Sequence, residues 1–262
     1  MRVHNDHAGP AQEAGCRGHR RGRRGEDLGP LLTSGGPDGM RERTNPLEPI
    51  LEISGSVGDP RVRALLTSFF GEEGLKVRGR PFSSLFASSP LSTMKGLEGE
   101  GKLLEHTLRV TRSALAVAPI YGVKGFELDL LLAACLLHDA GKVLCYGKDE
   151  RGRTVLSEEG LLDHVVLGLN LVAAQASRLG LPLELLNLLS HAISCHHHLT
   201  GRPKPEPRTL PASILASVDA LDSLALSLDR GGSNPAGLMA RLLDQDQVPQ
   251  ASGEPQGLLE LR

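Results

Sequence analysis

Leu136-Leu137-His138-Asp139-Ala140-Gly141-Lys142 decides how this chain reads. The run closes Phe126–Leu137, a stretch apolar almost all round, which predicts a central buried helix with His138-Asp139 at its C-terminal end. Gly141 is expected to terminate that helix. An imidazole and a carboxylate on successive residues offer two donors of different character at one place. Together they suit borderline and hard divalent cations such as manganese, iron, nickel, cobalt or zinc. Further candidate ligands bracket the pair: His106 upstream, then His164, His191, His196, His197 and Asp219 downstream.

Outward from that run the pattern is helical. Leu103, Leu104, Leu108, Val110 and Ala114 to Val117 predict a helix carrying His106. Leu161 to Leu179 predicts another, with His164, broken by Gly180 and Pro182; Leu183 to His197 follows. Gly201 to Pro211 is a proline-rich loop, Ala212 to Leu228 a helix with Asp219, and Pro235 to Leu243 a shorter one. On the other side, Asp59-Pro60-Arg61 reads as an N-cap with proline at the first helical position, leading into Val62, Leu65, Leu66 and Phe69, closed by Gly71 and Gly74. Arg80 to Phe86 is a connector or short helix, Ser88 to Gly101 a glycine-bearing loop, and Lys142 to Thr154 a polar excursion beside the pair. No alternating run is strong enough for a sheet, so the class is all-α, with candidate ligands on facing helices.

The expected domain runs over residues 46–244, with its core at 100–230. Residues 1–45 are rich in Gly, Arg, Pro, Asp and Glu without period, and are expected to be disordered. Alternatively they are a non-native extension, with the true start at Met40 or nearby. Residues 245–262 are expected to form a flexible tail.

Composition narrows the classes. With 40% hydrophobic residues but 3% aromatic and no Trp, Leu, Ala and Val must fill the core. A formal net charge of −2 gives no electrostatic footprint for nucleic acid, and no DNA-binding motif is present. Cys16, Cys135, Cys145 and Cys195 form no CxxC pair, which excludes a zinc ribbon or a thioredoxin motif. Cys135 reads as a core residue, and Cys195, beside the histidines, as core in preference to ligand. Reduced thiols fit a cytoplasmic protein. No apolar stretch approaches the ~20 residues that span a bilayer, so no membrane partner is expected. Arg20-Arg21-Gly22-Arg23-Arg24 is followed by Glu26-Asp27-Leu28-Gly29-Pro30, which is not the apolar region a twin-arginine signal needs.

A lone histidine in an apolar helix is usually a hydrogen-bonded core residue. That explanation would have to hold for His106, His138, His164, His196, His197 and the carboxylates of Asp139 and Asp219 at once. Burying each without a partner costs a few kcal/mol, so convergence on a metal is the economical reading.

In order along the chain, His106, His138-Asp139 and Asp219 resemble the ligand pattern of the HD-domain metal-dependent phosphohydrolases. Leu103-Leu104-Glu105-His106-Thr107 and Val218-Asp219-Ala220-Leu221-Asp222 match around the first and last ligands. The resemblance implies an HD-type helical bundle in which these four residues bind one metal. His164 and Cys195-His196-His197 resemble the extra histidines of the subgroup with two metals, which implies that Asp139 bridges both ions with His164, His196 and His197 around the second. Two ions about 3.5–4 Å apart activate a hydroxide and steady the attacking and leaving oxygens of a phosphate ester.

His191 is expected to support a ligand from behind or to contact substrate, with a ligand role left open. His198 is expected to be exposed. Lys142 reads either as a phosphate contact or as a solvated lysine. Asp222, three residues after Asp219, is expected to orient a ligand or a water, and Asp163 to be an ordinary surface carboxylate.

Within the superfamily, Gly101-Lys102-Leu103-Leu104-Glu105-His106-Thr107, His138-Asp139-Ala140-Gly141-Lys142, Leu161 to Gly168 and the His191-to-His197 spacing are most similar to bacterial HD-type 3′-to-5′ exoribonucleases, over roughly residues 60 to 230. Those enzymes carry an OB-type module ahead of the catalytic domain, for which this chain shows no strand pattern. They also have a histidine in the glycine-rich approach to the first ligand, where this chain reads Pro90-Leu91-Ser92-Thr93-Met94-Lys95-Gly96. The HD-GYP cyclic dinucleotide phosphodiesterases are a second likeness, but Leu199-Thr200-Gly201-Arg202-Pro203 stands where their Gly-Tyr-Pro element would be. The resemblance therefore implies a metal-dependent phosphodiesterase or nuclease acting on single-stranded RNA, oligonucleotides or nucleotides. The alternatives are a small-molecule nucleotidase, a cyclic dinucleotide phosphodiesterase, a non-catalytic nucleotide-binding HD domain and a di-iron oxygenase.

Overall fold

The structure, a computed structural model, describes residues 45–200 and 204–229. The expectations placed on residues 1–44, on 201–203, on Pro235 to Leu243 and on the tail lie outside the described residues.

Helix α1 (Glu48–Ser56), too short to show a clear helical period in sequence, buries Ile50 and Ile53. It turns directly into α2 (Pro60–Phe70), where Asp59 caps the helix as expected by accepting from the Arg61 and Val62 amides. A two-residue antiparallel ribbon, β1 (Lys76–Val77) with β2 (Arg80–Pro81), reverses the chain into α3 (Phe82–Ser88). Phe69, Phe70, Phe82 and Phe86, four of the chain's five phenylalanines, pack together here. Phe69 and Phe82 meet edge-on with centroids 5.0 Å apart. The scarce aromatic area is thus concentrated at one end of the core, leaving aliphatic side chains to fill the rest.

The remaining elements are α4 (Lys102–Val117), α5 (Phe126–Leu137), α6 (Lys142–Cys145), a second ribbon of β3 (Tyr146–Lys148) and β4 (Thr154–Leu156), α7 (His164–Arg178), α8 (Leu183–Cys195) and α9 (Leu210–Asp229). The all-α class holds; the two ribbons are the departure from an expectation of no strand pairing, and both are too short to show as alternation in sequence. Every residue from Leu130 to Leu137 is buried, and α5 lies among α2, α4, α8 and α9. Helix α9 is long and apolar enough, by length and composition, to cross a membrane. This corrects the expectation that no stretch approaches that length. It packs against α4, α5 and α8 and buries Asp219 and Asp222.

Two constraints position the end of α5. At its start, buried Asp129 accepts from the amides of Gly58 (3.0 Å) and Asp59 (2.7 Å), tying the α1–α2 turn to the central helix. At its end, Gly141 has a different role from the one expected. Helix α5 stops at His138 in right-handed conformation, and Gly141 is right-handed too, at φ −65° and ψ −21°. A Cβ on Gly141 would collide with the His164 carbonyl oxygen and come within 2.5 Å of the Gly168 amide nitrogen. The glycine is therefore required by the close approach of α7 rather than by a left-handed cap.

Gly141→Ala is expected to push α7 away from α5 and destabilise the fold by at least about 1–3 kcal/mol, the usual range for overpacking. Denaturant unfolding measures it; an unchanged midpoint and slope would show that the contact is not tight.

Candidate metal centre

Five segments end or pass at one place. Helix α4 supplies His106, the end of α5 supplies His138 and Asp139, and the first residue of α7 is His164. The end of α8 supplies His196 and His197, and α9 supplies Asp219. His138 and His196 are held by the same local device. Each caps its helix, and its Nδ1 donates back to the carbonyl three residues earlier: Cys135 at 2.8 Å and Ile193 at 2.6 Å. Those carbonyls belong to a last turn that has lost its intrahelical partners. Because a carbonyl only accepts, the proton sits on Nδ1 and each Nε2 lone pair points forward.

The donor atoms fall into two groups that share Asp139. In the first, His106 Nε2 lies 3.1 Å from His138 Nε2, 3.4 Å from Asp139 Oδ2 and 3.2 Å from Asp219 Oδ1. In the second, Asp139 Oδ1 lies 3.3 Å from His164 Nε2 and 3.8 Å from His196 Nε2, and His164 Nε2 is 3.1 Å from His197 Nε2. One ligand atom from each of His106, His138 and Asp139 lies within 4.8 Å of the others, and the same holds for Asp139, His164, His196 and His197. His197 Nδ1 also approaches Asp219 Oδ2, at 3.3 Å.

Burial makes this arrangement costly as it stands. His106, His138, Asp139, His196 and Asp219 are all buried. Both oxygens of Asp139, Asp219 Oδ2, His196 Nε2 and His197 Nδ1 have no hydrogen-bond partner among the described residues. Lys142 Nζ stands 2.7 Å from Asp139 Oδ2 as an ion pair, without the direction of a hydrogen bond. Orphaned atoms of this kind are rare in folded proteins and call for an explanation. Imidazole nitrogens and carboxylate oxygens converging on two points fit divalent cations.

The electrostatics agree. Burial alone would lower the His106 imidazole; the Asp139, Asp219 and Asp222 carboxylates reverse this and raise it to about 10. Burial alone would raise Asp139, but Lys142, His138 and His106 hold it well below the carboxylate range. Asp219 is likewise held well below that range against the effect of burial, by His106 and His197. Burial pushes His164 and His196 down, favouring the neutral imidazole that ligation requires. Lys142 and His106 stand against these carboxylates, Lys142 Nζ on Asp139 and His106 Nε2 on Asp139 and Asp219.

A cavity of about 400 Å³ opens over this floor, with His106, Lys142, His164, His197 and Asp219 at its base and Leu91, Leu97, Leu156, Leu162 and Leu226 among its walls. Tyr146 also lines it, and its hydroxyl donates to the Leu91 carbonyl at 3.4 Å.

The remaining candidates fall as follows. Asp222 Oδ2 accepts from His106 Nδ1 at 2.7 Å, as a carboxylate orienting a ligand should. His191 is turned elsewhere. Its Nε2 accepts from the Arg208 amide at 2.9 Å and its Nδ1 is 3.5 Å from Cys195 Sγ, so it pins the segment that follows the histidine pair. Cys195 is buried against that segment, 3.5 Å from the Glu206 carbonyl. Asp163 is no ordinary surface carboxylate: it caps α7 through the Val165 amide and pairs with Lys204 at 3.0 Å. His198 is half-buried rather than exposed. Arg109, unremarked in the sequence, grips Asp222 through Nε–Oδ1 at 2.6 Å and Nη2–Oδ2 at 3.0 Å. Its only signal was its place three residues after His106, on the same helical face.

Residues 103–224 match the HD domain family. Among curated relatives, the 3′-5′ exoribonuclease YhaM of Bacillus pumilus and that of Bacillus velezensis are each 30% identical over 156 residues, and that of Bacillus licheniformis 31%. Each match covers 58% of this chain and 48% of the relative, so the chain spans about half the length of the curated relatives it matches. No solved structure matches. The matched stretch holds His106, His138, Asp139, His164, His196, His197 and Asp219 together, and residues 103–224 of this chain are an HD domain.

Proposed function

We propose that this protein is a metal-dependent phosphodiesterase that cleaves phosphate ester bonds of RNA or short oligonucleotides with a metal-activated water. The observation that carries the reading is the division of Asp139: one buried oxygen faces His106 and His138, and the other faces His164 and His196. His106, His138, Asp139 and Asp219 would hold one ion, and Asp139, His164, His196 and His197 a second. Bound there, divalent ions supply Lewis acidity and lower the pKa of water toward neutrality. The proposed catalytic unit is the expected domain of residues 46–244. Cys135, Cys145 and Cys195 are free and buried, which supports the cytoplasmic setting read from the thiols.

The chain's own groups do the rest. Lys142 stands at the cavity floor beside Asp139, positioned to give a point charge to a substrate phosphate once Asp139 turns to its cations. Leu91 and Leu97, buried in the lining, give a nucleoside an apolar surface. The exoribonuclease names of the relatives favour RNA as the polymer.

One observation favours a second reading, a nucleotidase. Lys142 is the one Lys or Arg among the described residues lining the cavity, and a volume of about 400 Å³ suits a single nucleotide.

With manganese supplied, the protein is expected to shorten a 5′-labelled single-stranded RNA progressively, and Asp139→Ala to lose both hydrolysis and metal uptake. Unchanged turnover in Asp139→Ala would overturn the assignment. Strong competition by mononucleotides, with no shortening of RNA, would select the nucleotidase. Lys142→Ala is expected to keep its metal and lower kcat/KM roughly 10- to 100-fold, the size of one charged contact. Equal kcat/KM values would leave Lys142 as a lysine that only balances Asp139.

A further inference from the structure

We infer that Arg109 is a positioning residue that sets the affinity of one of the two ions, acting through Asp222 on His106; this rests on the two-ion reading above. The histidines of the centre are not oriented alike. His138 and His196 donate from Nδ1 to backbone carbonyls of their own helices, so the helix ends fix them. His164 has only a 3.3 Å approach of its Nδ1 to Asp163 Oδ1. His106 alone donates from Nδ1 to a carboxylate at short range, 2.7 Å from Asp222 Oδ2.

That carboxylate is carried by a different helix, α9, and Asp222 has to be held before it can hold His106. Arg109 does this with a fork: Nε meets one oxygen and Nη2 the other, which is the oxygen that also receives the His106 proton. The guanidinium fixes the carboxylate plane, the carboxylate fixes the imidazole ring, and Nε2 is directed to the place where Asp139 and Asp219 meet. Carboxylates behind a ligating histidine orient it and raise its basicity. A lysine would keep the charge but not the two-point grip.

The consequence is selective. His106 belongs to the group with His138 and Asp139, whereas His164, His196 and His197 gather on the other oxygen of Asp139. Loosening Arg109 should therefore weaken one ion and spare the other. The Arg109 side chain is 41% exposed against 3% for His106, so its replacement opens no cavity in the core, and metal-free melting separates lost stability from lost metal affinity.

The test is manganese binding to the full chain, by calorimetry and by counting bound ions after dialysis, for wild type, Arg109→Met and Arg109→Lys, with metal-free melting as the control. The wild type is expected to bind two ions. Arg109→Met should keep one with unchanged affinity and bind the other about 10- to 100-fold more weakly, the range for loss of such a partner. Arg109→Lys should fall between, at an unchanged metal-free melting temperature; if Arg109→Met does not fold, Arg109→Lys carries the test. Binding like the wild type's, or equal weakening of both ions, would overturn the inference. A wild type that takes up a single ion refutes the two-ion reading instead, and the role of Arg109 then survives only if that ion binds more weakly in the variants.

Discussion

Asp139 is a carboxylate taken out of water with neither oxygen in a directed hydrogen bond among the described residues, and the site is arranged around that cost. A buried unpaired charge is among the most unfavourable things a fold can contain. Here it is tolerated because cationic or cation-seeking groups converge on it: Lys142 and His106 on Oδ2, His164 and His196 on Oδ1. The apolar length of α5 carries the residue inside. Gly141, by admitting the backbone of α7, brings the first residue of that helix within reach of it. Asp129, at the other end of α5, ties that helix to the α1–α2 turn.

Helix ends do most of the positioning. His138, His164 and His196 all stand at the boundary of a helix, where carbonyl or amide groups lack intrahelical partners and a ring can be locked by its own backbone. His106 sits inside α4 and has no such backbone partner. It depends on a side-chain chain of contacts from α9, Asp222 and then Arg109. A centre built from termini and one braced mid-helix residue explains why an all-helical fold with sparse aromatic packing can still place several nitrogens and oxygens within a few ångströms of each other.

The candidate ligands were legible in sequence because a titratable residue in an otherwise apolar helical stretch stands out against its neighbours. His106, His138, Asp139, His164, His196, His197 and Asp219 all had that signature, and all converge. What escaped was whatever looks the same whether or not it has a task. Arg109 on an outer helical face reads as solvated until Asp222 is seen opposite. Asp163 reads as a surface acid until the start of α7 is known. Gly141 carried the mark of a left-handed cap, and only the proximity of His164 and Gly168, distant in sequence, shows that space is what it supplies. His191 was placed near the histidine pair by spacing alone. Five residues along an α-helix turn roughly 140° past a full circle, so it faces the Arg208 segment instead. The ribbons and α1 were missed because two- and three-residue strands and a nine-residue helix carry too few periods to register.

Crystals grown with manganese, examined by anomalous scattering, would test the central assignment most directly. Two peaks are expected, one on either side of the Asp139 carboxylate. The first should lie among His106, His138 and Asp219, the second among His164, His196 and His197, with Lys142 Nζ withdrawn from Asp139. No peak at saturating manganese, with Lys142 still paired to Asp139 and the histidine nitrogens still facing one another, would contradict the metal centre.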